Sequence, residues 1–236
     1  MRVLIPRGGS WGDEVARLAA AAGFEPLVVP LVRTQPAEDQ DALGRALARL
    51  SDGGFDWLVV TSRSAVPVLP PVPRSVRVAA VGASTAGALR DRGIRVELVP
   101  ERQSAAGLVA EWPTSEGHAL WPRALDARPT VADGLRQRGM RVTDVVAYRT
   151  VPVFESDEGL FAAVDDAPVG AVLVTSGSIA RQVARLDLPP GARIIAIGDQ
   201  TADDCRSLGL PVAGIAAEPS AAALVKALAA SAHPGA

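Results

Sequence analysis

Serine, threonine, glycine and arginine recur where a short apolar run of the sequence gives way to a helical segment. The segments are PRGGS (6–10), TSRSA (61–65), GASTA (82–86), TSGSI (175–179) and GDQTA (198–202). The first turn of a helix leaves backbone N–H groups unpaired at its positive dipole end, where they can bind anions. Several such segments together predict recognition of a multiply charged anion, largely through backbone donors.

The same residues have a second interpretation, because serine and threonine are the usual N-cap residues of helices. For a single segment, capping is the simpler explanation, and the hypothesis of binding depends on several segments occurring together. The candidate binding residues are Arg7, Thr61, Ser62, Arg63, Ser64, Gly82, Ser84, Thr85, Ser104, Arg123, Thr175, Ser176, Gly177, Ser178, Gly198, Thr201 and Ser220.

Tyr148 is the only tyrosine in the chain and lies in the extended segment VVAYRT. Because the ordinary pKa of tyrosine is about 10, its hydroxyl is a weak acid and a hydrogen-bond donor at neutral pH. A packing role without chemistry is the alternative. No metal site is predicted, since His118 and His233 are far apart in sequence and Cys205 has no partner at zinc spacing.

Other classes of protein are excluded by motif and composition. The sequence has no GxxxxGK[ST] loop and no GxSxG elbow, and GGSWG (8–12) lacks the GxGxxG spacing. A net charge of −2 argues against broad nucleic-acid binding, and no apolar run is long enough to span a membrane. The strand-like VLIP directly after the amino terminus and the single cysteine predict a cytoplasmic protein.

The elements that must position these residues alternate between apolar strands and Ala/Leu-rich helices. This alternation predicts an α/β fold with doubly wound parallel sheets covered on both faces. The predicted strands are 2–5, 26–30, 57–60, 77–81, 95–99, 118–121, 142–147, 171–174, 193–197 and 212–216. The predicted helices are 12–22, 40–50, 84–92, 104–111, 130–138, 178–185, 200–207 and 220–230.

The sequence also repeats itself internally. Pro6-Arg7 matches Pro122-Arg123 and VRTQP (32–36) matches YRTVP (148–152), both at a step of 116 residues, whereas Thr61-Ser62 matches Thr175-Ser176 at 114. A period of this length fits a domain and not a solenoid repeat. Two copies of one α/β unit are therefore predicted, with a cleft between similar domains as the expected ligand site.

Two arrangements of the copies are compatible with the repeat. The polar segments 31–36 and 147–152 are either loops within two consecutive domains or a pair of connectors that cross between domains. In the crossed arrangement, one domain holds residues 1–33 plus 153–236, and the central domain, 37–147, is a permuted copy of it. Sequence patterns alone leave both arrangements open.

The ordered set of motifs resembles the uroporphyrinogen-III synthase family over roughly residues 2–230. The segments that carry the resemblance are VLIPR, LVVTSRSAV, VAAVGASTAGALRDRGI, AYRT, VLVTSGSI, IIAIGDQTADDCRSLGLPV and EPSAAALVKAL. The resemblance implies the crossed arrangement: two flavodoxin-like domains joined by a two-stranded connector.

It also implies an enzyme without a cofactor that cyclises hydroxymethylbilane, a linear tetrapyrrole with eight carboxylates, to uroporphyrinogen III. Water is lost and ring D is inverted, by way of an azafulvene and a spiro-pyrrolenine. The family's tyrosine beside the cleft maps to Tyr148, which would assist departure of the hydroxyl. Its threonine in the equivalent turn maps to Thr201, and its TS/SG turns map to Ser62, Ser176, Gly177 and Ser178. A monomer, in transient contact with the preceding enzyme of the pathway, is expected.

Two other hypotheses stand beside this one. The first is a non-catalytic two-domain binding or regulatory protein for an anionic small molecule, of the kind that closes about a hinge. The second is a nucleotide or phosphosugar enzyme on the same fold, which the missing phosphate-loop spacing disfavours.

Overall fold

The structure is a computed structural model that describes residues 1–164 and 168–232, so His233 lies outside the described residues. The chain divides into two compact units, Met1–Arg33 with Val151–Ala236, and Thr34–Thr150. The first unit therefore consists of two segments that are separated in sequence. The chain leaves it and returns to it at the two Arg-Thr pairs of the repeat.

The strands, in chain order, are β1 (Arg2–Ile5), β2 (Glu25–Val28), β3 (Val32–Pro36), β4 (Trp57–Val60), β5 (Arg77–Ala80), β6 (His118–Ala124), β7 (Arg141–Pro152), β8 (Ala171–Val174), β9 (Arg193–Ala196) and β10 (Val212–Ile215). The helices are α1 (Gly9–Ala21), α2 (Gln40–Ser51), α3 (Ala83–Asp91), α4 (Ala105–Ala110), α5 (Thr130–Gln137), α6 (Asp157–Ala162), α7 (Gly177–Val183), α8 (Asp199–Ser207) and α9 (Ala221–Ala232). A 3-10 segment spans Arg63–Val68.

The first unit is built on a parallel sheet with the strand order β10-β9-β8-β1-β2. The central strands β1 and β8 are almost wholly buried, as their continuous apolar sequences RVLI and AVLV predict. From β2 across the sheet, the order is the 2-1-3-4-5 of flavodoxin-like folds.

The second unit holds a sheet with the order β3-β7-β6-β4-β5. The pairs β4–β5, β4–β6 and β6–β7 are parallel. The predicted strand 95–99 is wrong, because this segment makes only an isolated parallel bridge between Leu98 and Ala79. It lies at the edge of the sheet, where charged residues alternate with apolar ones and Pro100 follows, so a longer ladder does not form.

The internal repeat of the sequence corresponds to a repeat in the topology of the two sheets. The step of 116 residues places β1 on β6, β2 on β7 and β5 on β9, and the step of 114 places β4 on β8. Matched strands occupy matched places in the two sheets, although the chain visits them in a different order. The second unit is thus a permuted copy of the first, and the fold is α/β with two flavodoxin-like parallel sheets.

Each sheet has an apolar cluster on both faces. In the second unit Trp57 packs against Trp112 on one side, with ring centroids 4.5 Å apart, while Leu58 lies in the cluster on the other side. Burial of a large apolar side chain contributes about 1.5–3 kcal/mol, so these clusters hold the strand ends in place. In the described ranges no helix is long and apolar enough to cross a membrane.

Candidate functional site

In each unit several candidate residues follow the two strands between which the strand order of the sheet reverses its direction. The reversal lies between β1 and β8 in the first unit and between β6 and β4 in the second. Ligands of open α/β sheets bind at this switch point, beyond the carboxyl ends of the strands. Arg7 follows β1, 175–178 follow β8, 61–64 follow β4, and Arg123 is the next-to-last residue of β6.

Tyr148 is brought to the second unit's switch point by a β-bulge. Arg123 pairs with Val146, but the next residue, Ala124, pairs with Tyr148, so Ala147 is an extra residue in β7. The backbone N–H of Leu125 then donates to the carbonyl of Tyr148 at 2.9 Å. Because a bulge redirects the side chains that follow it, the irregularity accounts for the placement of the phenol.

Ser62 and Ser64 lie close enough to the hydroxyl of Tyr148 to affect its pKa. Tyr148 is only 7% exposed. Burial raises the pKa of Tyr148, the hydrogen bond with Ser62 lowers it, the negative charge of Asp126 raises it and the hydrogen bond with Ser64 lowers it; the net result is a pKa above the ordinary value. The phenol of Tyr148 is therefore neutral at neutral pH.

Two other residues predicted to bind substrate at this switch point, Thr61 and Arg123, have hydrogen-bond partners within the second unit. The indole Nε1 of Trp121 donates to Thr61 Oγ1 at 3.1 Å. The guanidinium of Arg123 donates to Asp144 Oδ2 at 2.8 Å and to the carbonyls of Ala124 and Leu125 at 3.0 and 3.2 Å. Thr61 and Arg123 thus stabilise the strand ends around Tyr148.

Asp144 is the centre of a small ion-pair network. Arg136 donates to its second carboxylate oxygen at 2.9 Å, opposite the bond from Arg123. Burial acts to raise the pKa of Asp144, but the hydrogen bonds from Arg123 and Arg136 hold that pKa below its ordinary value. The carboxylate is therefore ionised at neutral pH and fixes the direction of the Arg123 side chain.

The remaining candidates of the second unit lie at two helix starts. Ser104 caps α4 by accepting from the N–H of Gly107 at 3.0 Å. At α3 the cap residue Gly82 has no side chain, and Gln103 Oε1 accepts from the N–H of Ala83 at 2.8 Å instead. Thr85 is only 5% exposed, whereas Arg63 and Ser84 are exposed.

Candidates of the first unit include two capping serines. Ser176 Oγ accepts from the N–H of Ile179 at 3.3 Å, and Ser220 Oγ accepts from the N–H of Ala223 at 3.1 Å. Together with Ser62 and Ser104, they confirm capping as one role of the predicted serines. The hydroxyl of Ser220 also donates to Glu218 Oε1 at 3.0 Å, and the hydroxyls of Ser176 and Ser178 share a hydrogen bond of 3.0 Å.

The other first-unit candidates differ in accessibility. Arg7 lies over the ring of Trp11, 5.0 Å from its centroid. Thr201, in the first turn of α8, is only 8% exposed, and Gly198 precedes that helix as its cap residue. Thr175 Oγ1 is buried and has no hydrogen-bond partner among the described residues.

Sequence reasoning missed Trp121, Gln103 and Asp144 as partners of the predicted residues. Asp144 lies opposite Trp121 in the register of β6 and β7, which the apolar pattern of the strands does not specify. A signal for Trp121 was available in the repeat, because the position 116 residues earlier is Ile5. A large amphipathic residue in place of an aliphatic one at a strand end marks a point where the copies differ.

Comparison with known proteins agrees with this geometry. Residues 13–226 match the family model described as Uroporphyrinogen-III synthase HemD. A chloroplastic uroporphyrinogen-III synthase of Oryza sativa subsp. japonica is 30% identical over 217 residues, covering 83% of this chain and 70% of the relative. A putative uroporphyrinogen-III synthase of Methanothermobacter thermautotrophicus is 31% identical over 181 residues, covering 69% of this chain and 68% of the relative.

Two solved structures show the same fold. A mutant uroporphyrinogen III synthase of Thermus thermophilus matches with a TM-score of 0.67 at 21% identity, covering 98% of both chains. The uroporphyrinogen-III synthetase of Helicobacter pylori 26695 matches with a TM-score of 0.66 at 19% identity, covering 99% of this chain and all of the other. With a family model over residues 13–226, and synthase relatives along most of its length, this chain belongs to the uroporphyrinogen-III synthase family.

Proposed function

We propose that this protein cyclises hydroxymethylbilane to uroporphyrinogen III, with inversion of ring D and loss of water. Membership of the family, whose enzymes are cyclising lyases, supports the reaction class. The observation that carries the proposal for this chain is the single tyrosine, which is buried at the switch point of the second sheet close to Ser62 and Ser64.

The reaction needs little catalytic assistance from any one side chain. The pyrrole nitrogen of the terminal ring pushes electrons toward the hydroxymethyl carbon, the C–O bond breaks, and the departing hydroxide accepts a proton to leave as water. Tyr148, neutral at neutral pH, supplies that proton in our proposal. The azafulvenium cation that remains closes through a spiro-pyrrolenine, and the proton that ring D loses when the macrocycle is complete returns to the Tyr148 oxygen. The protein selects the inverted closure by holding one conformer of the chain.

The substrate carries eight carboxylates, which need many donors. We propose that these donors are supplied by the candidate residues that follow the strand ends. They include Arg7, Arg63, Ser84, Ser178 and Gly198. The exposure of Arg63 and Ser84 supports this role. Thr61 and Thr175 are weaker contacts, because the first hydroxyl accepts from Trp121 and the second is buried.

We further propose that the protein works without a cofactor, as a cytoplasmic monomer that meets the preceding enzyme of its pathway only transiently. The single, buried Cys205 supports a reducing compartment. Light scattering during size-exclusion chromatography measures the oligomeric state directly, and a dimer at working concentration would contradict the proposal.

The decisive experiment is to supply purified protein with freshly made hydroxymethylbilane, oxidise the products and separate the type I and type III isomers. Closure without the enzyme gives type I. Type III in proportion to enzyme concentration is the expected result. Type I alone, at the uncatalysed rate and from a folded sample, would indicate a binding or regulatory protein instead.

A further inference from the structure

We propose that Arg123 binds one carboxylate of the substrate through its Nη2 atom, and that Asp144 is the positioning residue that holds the guanidinium for this contact. Arg123 lies at the end of β6, beside the switch point of the second sheet, where ligands of open α/β sheets bind. The inference rests on the proposed function, in which the substrate is a linear tetrapyrrole with eight carboxylates.

Three hydrogen bonds fix the guanidinium of Arg123 and use only two of its nitrogens. Nε donates to Asp144 Oδ2 at 2.8 Å, and Nη1 donates to the carbonyls of Ala124 and Leu125 at 3.0 and 3.2 Å. The two N–H groups of Nη2 have no hydrogen-bond partner among the described residues. Since the side chain is 23% exposed and Nη2 is not one of the buried unpaired atoms, this nitrogen is accessible to a ligand.

The ion pairs around Arg123 orient its side chain without cancelling the charge of the whole group. Asp144 accepts from Arg123 on one oxygen and from Arg136 on the other, so two guanidiniums share one carboxylate. Asp133 lies 3.6 Å from Arg136 Nη1, but its side chain is 55% exposed, and water weakens its influence. Asp144 therefore holds the direction of Arg123 and leaves it able to attract an anion.

A guanidinium that is already held in place is well suited to bind a carboxylate. The side chain of Arg123 also lies over the ring of Trp121, 6.0 Å from its centroid, and Trp121 is almost wholly buried. Immobilising a long side chain on binding reduces affinity, and here the folded protein has immobilised it beforehand. A charge-assisted hydrogen bond from Nη2 then contributes to affinity with little further loss of entropy.

The internal repeat shows that the network is not a requirement of the fold. At the step of 116 residues Arg123 corresponds to Arg7, but Asp144 corresponds to Val28. The first unit forms the same order of strands with valine at this position, so a carboxylate is not needed to build the sheet. The carboxylate that fixes the arginine is present only in the unit that contains Tyr148.

Binding without turnover tests the contact directly. The probe is the bilane with a methyl group in place of the hydroxymethyl group, which keeps all eight carboxylates but has no hydroxyl to lose. In calorimetric titrations of the full chain, we expect Arg123→Gln and Asp144→Asn each to raise Kd about tenfold, the size expected for one charge-assisted hydrogen bond. Asp144→Asn should add little in an Arg123→Gln background. An unchanged Kd in Arg123→Gln would overturn the proposal.

The matched control is an arginine of the first unit with similar bonds. Arg185 donates from Nε to Asp157 Oδ1 at 2.8 Å and to the carbonyls of Phe154 and Glu155 at 3.4 and 3.5 Å. Asp157→Asn therefore removes a comparable ion pair, and we expect it to leave Kd for the probe unchanged. A rise equal to that of Asp144→Asn would show a general effect of lost ion pairs and overturn the role of Asp144.

Turnover provides a readout that a purely structural role would not produce. We expect Asp144→Asn to raise KM for hydroxymethylbilane about tenfold while kcat changes little, and Asp144→Glu to recover part of the loss. A lower kcat at unchanged KM would overturn the proposal. Circular dichroism checks folding, and Arg123→Lys covers the case in which Asp144→Asn does not fold. It keeps the charge but loses the planar fork, so the same rise in KM is expected.

The two measurements separate this inference from the proposed function. Weaker binding of the methyl probe to Arg123→Gln, in a protein that forms no type III isomer, would reject the reaction and retain the site. Type III formation by Arg123→Gln with the KM of the wild type would reject the role of Arg123 and retain the reaction.

Discussion

The indole Nε1 of Trp121 donates a hydrogen bond of 3.1 Å to Thr61 Oγ1 and so ties the end of β6 to the end of β4. Trp121 is 2% exposed, so its N–H depends on this acceptor. Thr61, predicted as a substrate contact, therefore has a structural partner within its own unit.

Replacing Thr61 by valine should therefore destabilise the protein. The variant keeps the shape of the side chain but leaves a buried indole N–H unpaired, which costs about 1–3 kcal/mol. Urea unfolding measures the change, with an unchanged m-value as the check that the unfolded state is comparable.

The repeat supplies the control for this substitution. Thr175→Val, at the equivalent position, removes a buried hydroxyl that lacks a partner among the described residues, so it should be neutral or stabilising. Equal losses of unfolding free energy in the two variants would show that the bond to Trp121 is not the reason that Thr61 contributes to stability.

Tyr148→Phe should lower kcat by up to about 10²-fold, the low end for loss of a general acid, because the electron-rich pyrrole already expels hydroxide. We expect KM to change little and the variant to stay folded, because the ring of Tyr148 that packs in the apolar cluster is retained. Steady-state formation of type III isomer measures the first effect. Wild-type kcat in a folded variant would remove Tyr148 from the chemistry.

Much of the fold follows from sequence pattern. Strands 57–60 and 171–174 have the predicted limits, because each is a continuous apolar run followed by a Thr-Ser pair. The 3-10 segment was missed because Pro67 argues against a helix there. Segment 95–99 was wrong because the amount of pairing at a sheet edge depends on its neighbour and not on the segment itself.

The site was less predictable than the fold. Tyr148 and Ser62 could each be selected from sequence, the first by rarity and the second by its place after a strand. Their proximity could not, because it depends on a bulge at Ala147 that arises from the register of β6 and β7. The pairing of Arg123 with Asp144 depends on that register as well.

A different titratable group should govern stability near neutral pH. His118 is only 8% exposed; its Nδ1 accepts from Arg49 at 3.1 Å, since a guanidinium can only donate, and its Nε2–H then donates to Thr143 at 2.8 Å. Protonation of the ring would place an N–H against the guanidinium. Burial lowers the pKa of His118 below 6.5, and the charges of Arg49 and Arg141 lower it further, against an opposing effect of Asp56.

The sign of the pH dependence follows from this shift. As the pH falls through 6.5 the unfolded chain takes up a proton that the folded protein does not, so stability is complete above 6.5 and decreases below it until the folded pKa is reached. His118→Asn, whose side-chain oxygen replaces Nδ1 as acceptor, should lose this component. Urea unfolding at several pH values compares the two proteins, and identical pH profiles would contradict the prediction.

Two glycines of the first unit distinguish steric damage from lost binding. A Cβ on Gly177 would lie 2.5 Å from Asp204 Oδ2, so Gly177→Ala disturbs the packing of α7 against α8 whether or not substrate is near. At Gly198 a Cβ would meet nothing within 4 Å among the described residues, and the extended backbone suits any residue.

Gly198→Ala is therefore the variant that tests substrate approach to the start of α8. We expect it to fold with a thermal midpoint close to that of the wild type, and to raise KM for hydroxymethylbilane because the added methyl group obstructs a carboxylate approaching the helix N–H groups. Gly177→Ala should instead lower the midpoint, and Asp204→Ala in the same chain should restore it by removing the obstructing carboxylate. An unchanged KM in Gly198→Ala would place the start of α8 away from the substrate. The substitution causes no packing defect among the described residues that could mask an effect on binding.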